Sequence, residues 1–144
     1  MGTNIYARPV KQIKAIETKK QESIAEAKAN NLIGLVPIIE EWAEQLISKL
    51  KPIHIGKRSA GWRFLFNHNN WQYYNNVAEM KEWLKDYQLF SQYREDLSFD
   101  EFWDDVEQRQ QTQKQHSGSY DPRWYIIKDG YEFSTSVEFY ISIN

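Results

Sequence analysis

The sequence predicts a single α+β domain in which a small antiparallel sheet packs against about four helices. Two patterns predict this class: apolar residues recur at helical spacing in several segments, and they alternate with polar residues in others. The length of 144 residues suits one ordinary domain, and 6 Trp, 9 Tyr and 7 Phe supply large side chains for its core. One domain is therefore expected over residues 1–144.

A short strand and a helical segment at 10–51 are the first predicted elements. Residues 3–7 predict the strand, and Pro9 closes it because proline lacks the N–H that a ladder requires. Residues 10–30 are mostly good helix formers with a thin apolar stripe, which indicates a largely exposed helix. A strongly amphipathic helix follows Pro37 and is stopped by Pro52.

Two β-hairpins are predicted farther along the chain. Residues 53–55 and 62–66 alternate between apolar and polar on either side of a turn-forming run at 56–61. The second hairpin spans residues 124–133, where Asp129-Gly130 supplies the positive φ that a tight type I′ turn needs.

Two further helices are predicted from their start signals. Asn75 or Asn76 caps the first, with Glu79 at capping-box spacing, and Ser98 followed by Glu101 repeats the pattern for the second. The following run at about 108–120 is rich in Gln, Lys, His, Ser and Gly and has no apolar period. A flexible loop or a frayed helix end is expected there.

Composition excludes several classes of function. The sequence contains no cysteine, which rules out a disulfide framework, a thiolate zinc site and a Cys nucleophile, and it favours the cytoplasm as the location. No apolar run approaches the roughly 18 to 20 residues of a membrane span, so no membrane association is expected. An isoelectric point near 5.9 makes direct nucleic-acid binding unfavourable.

The run from Gly56 to Gly61 has some features of a phosphate loop. Its glycines free backbone amides, and Lys57 and Arg58 can face an anion. A Walker loop, however, requires Lys and then Ser or Thr directly after the second glycine, where Trp62 stands here. A hairpin turn that contacts a phosphate or a partner carboxylate is the expected role, with Trp62 offering a flat face.

The three histidines do not form a metal-binding pattern. His54, His68 and His116 are too far apart in sequence, so neither a metal nor a cofactor is expected. His54 alternates with two isoleucines and is expected to be a surface or half-buried side chain bonded to backbone. The alternative is a ligand-binding or catalytic pocket around the first hairpin, formed by His54, Lys57, Ser59 and Trp62. No catalytic residue is assigned.

Charge is polarised along the chain. Residues 77–107 contain 3 basic and 10 acidic residues, a net charge of −7, whereas residues 8–28 contain 6 basic and 3 acidic residues, a net charge of +3. Four of the acids, Asp100, Glu101, Asp104 and Asp105, fall on the polar side of one helix. Such a row is a solvated face, a weak site for Mg²⁺ or Ca²⁺, or a mimic of phosphates presented to a basic partner.

The opening Met1-Gly2-Thr3-Asn4-Ile5-Tyr6 and the block His54-Ile55-Gly56-Lys57-Arg58-Ser59-Ala60-Gly61-Trp62 resemble those of a group of small phage and prophage proteins. Blocks at 82–83, 98–103 and 129–134 are similar to the same group in the same order. Some of its members place a cysteine pair before the histidine and look zinc-binding, but this chain has helices and no cysteine there.

What the resemblance implies is a setting rather than an activity. Small phage proteins without catalytic machinery often block host defences, including CRISPR nucleases. The sequence therefore leads to a phage-encoded binding protein of anti-CRISPR or other anti-defence type, acting in the host cytoplasm through the four acids with Lys57, Arg58 and Trp62. A small ligand-binding protein or enzyme is one alternative, and a virion structural or assembly protein is another. The oligomeric state is left open.

Overall fold

The computed structural model describes residues 2–116 and 124–135, which form four α-helices and a seven-stranded sheet. The helices are α1 (Val10–Ala29), α2 (Val36–Ser48), α3 (Val77–Leu84) and α4 (Phe99–Thr112). The strands are β1 (Gly2–Arg8), β2 (Ile53–Ser59), β3 (Leu65–Asn67), β4 (Gln88–Ser91), β5 (Asp96–Leu97), β6 (Tyr125–Lys128) and β7 (Tyr131–Ser134). The predicted α+β class is confirmed.

The chain separates into two compact units. One consists of residues 1–8 and 53–144 and contains the sheet with α3 and α4. The other consists of residues 9–52 and contains α1 and α2, within the predicted helical segment 10–51. The helical unit is therefore an insertion between the adjacent strands β1 and β2. None of the described helices is both long enough and apolar enough to cross a bilayer.

The sheet has the order β5-β4-β1-β2-β3-β7-β6. Every neighbouring pair is antiparallel except β3 and β7, which run parallel. The sheet is thus larger than the small antiparallel sheet predicted from sequence. Strands β4 and β5 were not predicted, because segments of four and two residues are too short to show a clear alternation.

The core of the sheet unit lies between one face of the sheet and helices α3 and α4. Phe66 of β3 is at its centre, with its ring in contact with Phe64, Phe102, Trp103, Tyr131 and Phe133. Val77, Met80 and Leu84 of α3 are buried in the same cluster. The richness in aromatic residues therefore builds this core, as expected from composition.

Both predicted helix starts are confirmed. Asn76 caps α3 by accepting a 2.8 Å hydrogen bond from the Glu79 amide, and Ser98 and Glu101 form a complete capping box at α4. Helix α4, however, continues to Thr112, which corrects the predicted loop at 108–120 over its first five residues. Gln and Arg favour the helix without an apolar stripe, which is why the pattern missed this turn. Residues 117–120 of that prediction lie outside the described residues.

The two hairpins form, with one correction. Strand β2 runs through Gly56, Lys57 and Arg58 to Ser59, so these residues belong to the strand instead of the turn. The tight turn is Ser59–Trp62, closed by a 3.1 Å hydrogen bond from the Trp62 amide to the Ser59 carbonyl. In the second hairpin, Asp129 and Gly130 have φ values of 53° and 87°, as a type I′ turn requires.

Candidate functional site

A β-bulge determines which side chains share the second face of the sheet. Ile5 pairs with Gly56 but Tyr6 pairs with His54, so Ile55 is an extra residue in β2. Because cross-strand partners lie on the same face, the bulge places His54 with Tyr6, and Lys57 with Asn4, on the face opposite the core. The predicted pair His54 and Lys57 is therefore brought onto one face, although their spacing in a regular strand would separate them.

His54 is the centre of a buried network of amides on this second face. Only 3% of its surface is exposed. Its Nε2 lies 2.9 Å from Asn4 Oδ1, and its Nδ1 lies 3.1 Å from Asn67 Nδ2. Asn70 donates a 2.7 Å hydrogen bond to the His54 carbonyl. The expectation of a surface or half-buried histidine bonded to backbone is wrong, since the ring is buried and bonded to side chains.

This geometry favours a neutral imidazole. The side-chain oxygen of Asn4 accepts from Nε2–H, and the side-chain amide of Asn67 donates to the bare Nδ1. Burial, and to a smaller extent the positive charge of Lys57, lower the pKa of His54 from 6.5 to about 4. With both ring nitrogens engaged, His54 acts as a structural hydrogen-bonding group.

A second buried cluster surrounds His116. Its backbone amide and Nδ1 lie 2.9 and 3.3 Å from the same carboxylate oxygen of Glu132, which is fully buried. Its ring stacks between those of Trp62 and Tyr125, at centroid distances of 4.9 and 5.6 Å. The segment after α4 is therefore anchored to the sheet, and Trp62 is half-buried in this stack, so it does not offer the free flat face that was expected.

Arg109 ties α4 to the turn of the first hairpin. Its Nε lies 3.1 and 3.2 Å from the two carboxylate oxygens of Asp105, and its Nη1 donates to the carbonyls of Ser59 and Trp62 at 2.9 and 3.2 Å. Asp105 is half-buried, and its carboxylate orients the guanidinium of Arg109. Of the four acids proposed for a partner, Asp105 has a structural role instead.

Arg109→Met is expected to lower the free energy of unfolding by about 2 kcal/mol, because two carbonyls and a half-buried carboxylate lose a charged donor. Urea unfolding measures the difference. Lys85→Met is the matched control, since it breaks the exposed Lys85–Glu82 pair and a long cation–π contact with Phe99, and it should cost less than about 1 kcal/mol. Equal losses in the two variants would contradict the structural role of Arg109.

The remaining acids lie on the exposed side of α4. At about 100° per residue, Asp100, Glu101 and Asp104 fall within an arc of about 100° opposite the buried side chains Phe102 and Val106. All three are exposed, and the Glu101 side chain also accepts from the Ser98 amide in the capping box. We call these three residues the acidic face of α4.

The structure does not bring all of the proposed site residues together. His54, Lys57 and Ser59 share the second face of the sheet, whereas Trp62 stacks on His116 and Arg58 lies 4.0 Å from Glu95. Sequence reasoning missed Asn4 and Arg109 because their partners are about 50 residues away, and it missed Asn67 because its partner His54 comes from another strand. Among residues 2–116 and 124–135, no three His, Asp or Glu side chains are grouped closely enough to hold a metal ion.

Comparison of the chain with protein-family models, with curated proteins and with solved structures gave no match in any of the three.

Proposed function

We propose that this chain is a phage-encoded binding protein that inhibits a host defence factor, of anti-CRISPR type, by occupying a basic surface on it. The observation that carries the proposal is the acidic face of α4, where Asp100, Glu101 and Asp104 point to solvent from one rigid helix. In this proposal, the three carboxylates occupy positions on the partner that nucleic-acid phosphates would otherwise take.

The setting of the acidic face supports this function. Asp96 precedes the helix in β5 and is also exposed, so negative charge extends beyond the helix start. Residues 77–107 carry a net charge of −7. A field of this sign attracts and orients a basic partner from a distance, and the attraction weakens as salt increases.

The state of His54 weighs against the alternative of a ligand pocket or catalytic site around the first hairpin. A general base or ligand needs an accessible nitrogen, whereas the ring of His54 is buried and both of its nitrogens have amide partners. Of the other predicted pocket residues, Ser59 shares the second face with His54 and Lys57, whereas the ring of Trp62 stacks on His116 in the second cluster. We therefore place partner recognition on α4.

Affinity capture from lysate of a CRISPR-bearing host, with mass spectrometry, tests the proposal. The full chain is expected to retain a host nuclease, and the variant Asp100→Asn/Glu101→Gln/Asp104→Asn is expected to retain at least about fivefold less, because three charges are lost at the contact. Glu101→Gln keeps an acceptor for the capping box, so the helix start is preserved.

The matched control neutralises three exposed acids on another helix, Glu40, Glu41 and Glu44 of α2, each to Gln. This variant changes net charge by the same amount and should retain the nuclease fully. Circular dichroism checks that both triple variants keep their helices. Retention of no host nuclease by the unaltered chain, or equal loss in the two triple variants, would contradict the proposal.

A further inference from the structure

Exposed large apolar side chains are concentrated in the helical unit. Leu35, Ile38 and Trp42 are 42%, 61% and 41% exposed, and they follow one another at spacings of three and four residues. We call these three residues the apolar row. Leu32 and Ile33, in the turn before α2, are exposed by 51% and 67%. Soluble proteins rarely expose so many neighbouring apolar side chains without a partner.

The apolar row exists because α2 is apolar over a wider arc than α1. At about 100° per residue, the apolar stripe of α1, from Ile13 to Ala27, spans about 80°. The apolar residues of α2 span an arc of about 180°. One half of this arc contains buried Ala43 and half-buried Ile39, and the other half is the apolar row. The apolar stripe of α1 is too narrow to cover the whole arc of α2, so the apolar row stays exposed.

The spacing of the apolar row is that of a helix-packing seam. Leu35, Ile38 and Trp42 occupy successive a and d positions of a heptad, and Gln45 and Lys49 continue the same line with polar residues. The seam is therefore short and ends sharply. A helix that packs on this seam needs an apolar stripe of the same short length. Helix α2 of a second copy has such a stripe.

The exposed apolar area is compatible with a second copy. The five exposed side chains present roughly 500 Å² of apolar surface, taking about 200 Å² for each large side chain when fully exposed. Two copies would bury at most about 1,000 Å² of apolar surface plus a polar rim, which is near the lower limit of about 1,200 Å² for a specific interface. Glu40 and Glu44 lie away from the seam, whereas Glu41 is at the g position beside it, so an antiparallel pair brings the two Glu41 side chains to the same edge of the seam.

We propose that the chain forms a two-fold symmetric dimer in which the apolar rows of two α2 helices pack antiparallel, with Ile38 of each copy against Trp42 of the other. An isologous contact of this kind closes at two copies. The inference is independent of the acidic face, and the dimer would present two such faces to its partner.

Sedimentation velocity of the full chain, from about 1 to about 200 μM, tests for the dimer over the affinities expected of a small interface. The unaltered chain is expected to shift from monomer to dimer as its concentration rises. Ile38→Gln/Trp42→Gln should weaken the dimer at least about tenfold, because apolar anchors at the centre of an interface carry most of its energy. Tyr93→Gln/Ile127→Gln, two exposed apolar residues of the sheet unit, is the matched control and should dimerise normally.

Disulfide trapping tests the arrangement, since the chain has no cysteine of its own. Ile38→Cys mixed with Trp42→Cys should form the mixed disulfide faster than either variant forms its own, because only the mixed pair is opposed in the antiparallel seam. A monomer at every concentration, an association that survives Ile38→Gln/Trp42→Gln, or open-ended polymers would overturn the proposal. Polymers would favour a virion assembly protein.

Discussion

Gly56→Ala is expected to destabilise the sheet unit by at least about 3 kcal/mol or to prevent it from folding. A Cβ at this position would overlap the Leu65 carbonyl oxygen and the ring of Phe64. The carbonyl belongs to the neighbouring strand and Phe64 is buried, so neither can move without disturbing the core. Glycine is thus required here for close approach of two strands beside the bulge.

Gly34→Ala is the control for this substitution, because a Cβ at residue 34 meets no atom within 4 Å. It removes backbone freedom from the unfolded chain in the same way and should change stability by less than about 1 kcal/mol. Urea unfolding of the two variants measures both effects. A Gly56→Ala protein as stable as Gly34→Ala would show that the bulge does not hold the strands as described.

Acid is expected to destabilise the protein through His54 by about 2 to 3 kcal/mol between pH 7.5 and pH 4.5. The folded-state pKa is lowered from 6.5 to about 4 by burial and then by Lys57. Between these values the unfolded state binds the proton and the folded state does not, so stability is present above pH 6.5 and is lost as pH falls toward 4. Protonation would set Nδ1–H against the donating amide of Asn67.

The pKa itself is measured by NMR titration of the three histidines, one of which should stay neutral down to about pH 4. Urea unfolding at both pH values measures the stability effect. On acidification, the free energy of unfolding of His54→Gln should fall by about 2 to 3 kcal/mol less than that of the unaltered chain, because the variant has no imidazole to protonate. His68→Gln replaces a less buried ring and should remove a smaller part of the acid-induced loss of stability. A His54 that titrates near 6.5 would refute the buried network.

Local signals predicted the elements that depend on neighbours in sequence. The capping box of Ser98 and Glu101 and the Asp129-Gly130 turn need only residues within three positions, and both form as expected. The class of fold followed from such elements. The start of α2 near Pro37 is a further example.

Features that depend on distant partners were not predictable in the same way. His54 is buried because Asn4 and Asn67 come from two other strands, and the bulge at Ile55 reverses the face on which Lys57 lies. A prediction that alternates the two faces of the sheet residue by residue places the side chains after the bulge on the wrong face. Arg109 was overlooked because the carbonyls that it binds are about 50 residues earlier.

The most direct test of the proposed inhibition is the plating efficiency of a CRISPR-targeted phage on an immune host that expresses the chain. Expression is expected to raise plating at least about tenfold. The variant Asp100→Asn/Glu101→Gln/Asp104→Asn should lose most of this gain, and the Gln variant of Glu40, Glu41 and Glu44 should keep it. Unchanged plating at matched expression, with a non-targeting spacer as reference, would contradict inhibition of a CRISPR nuclease by this protein.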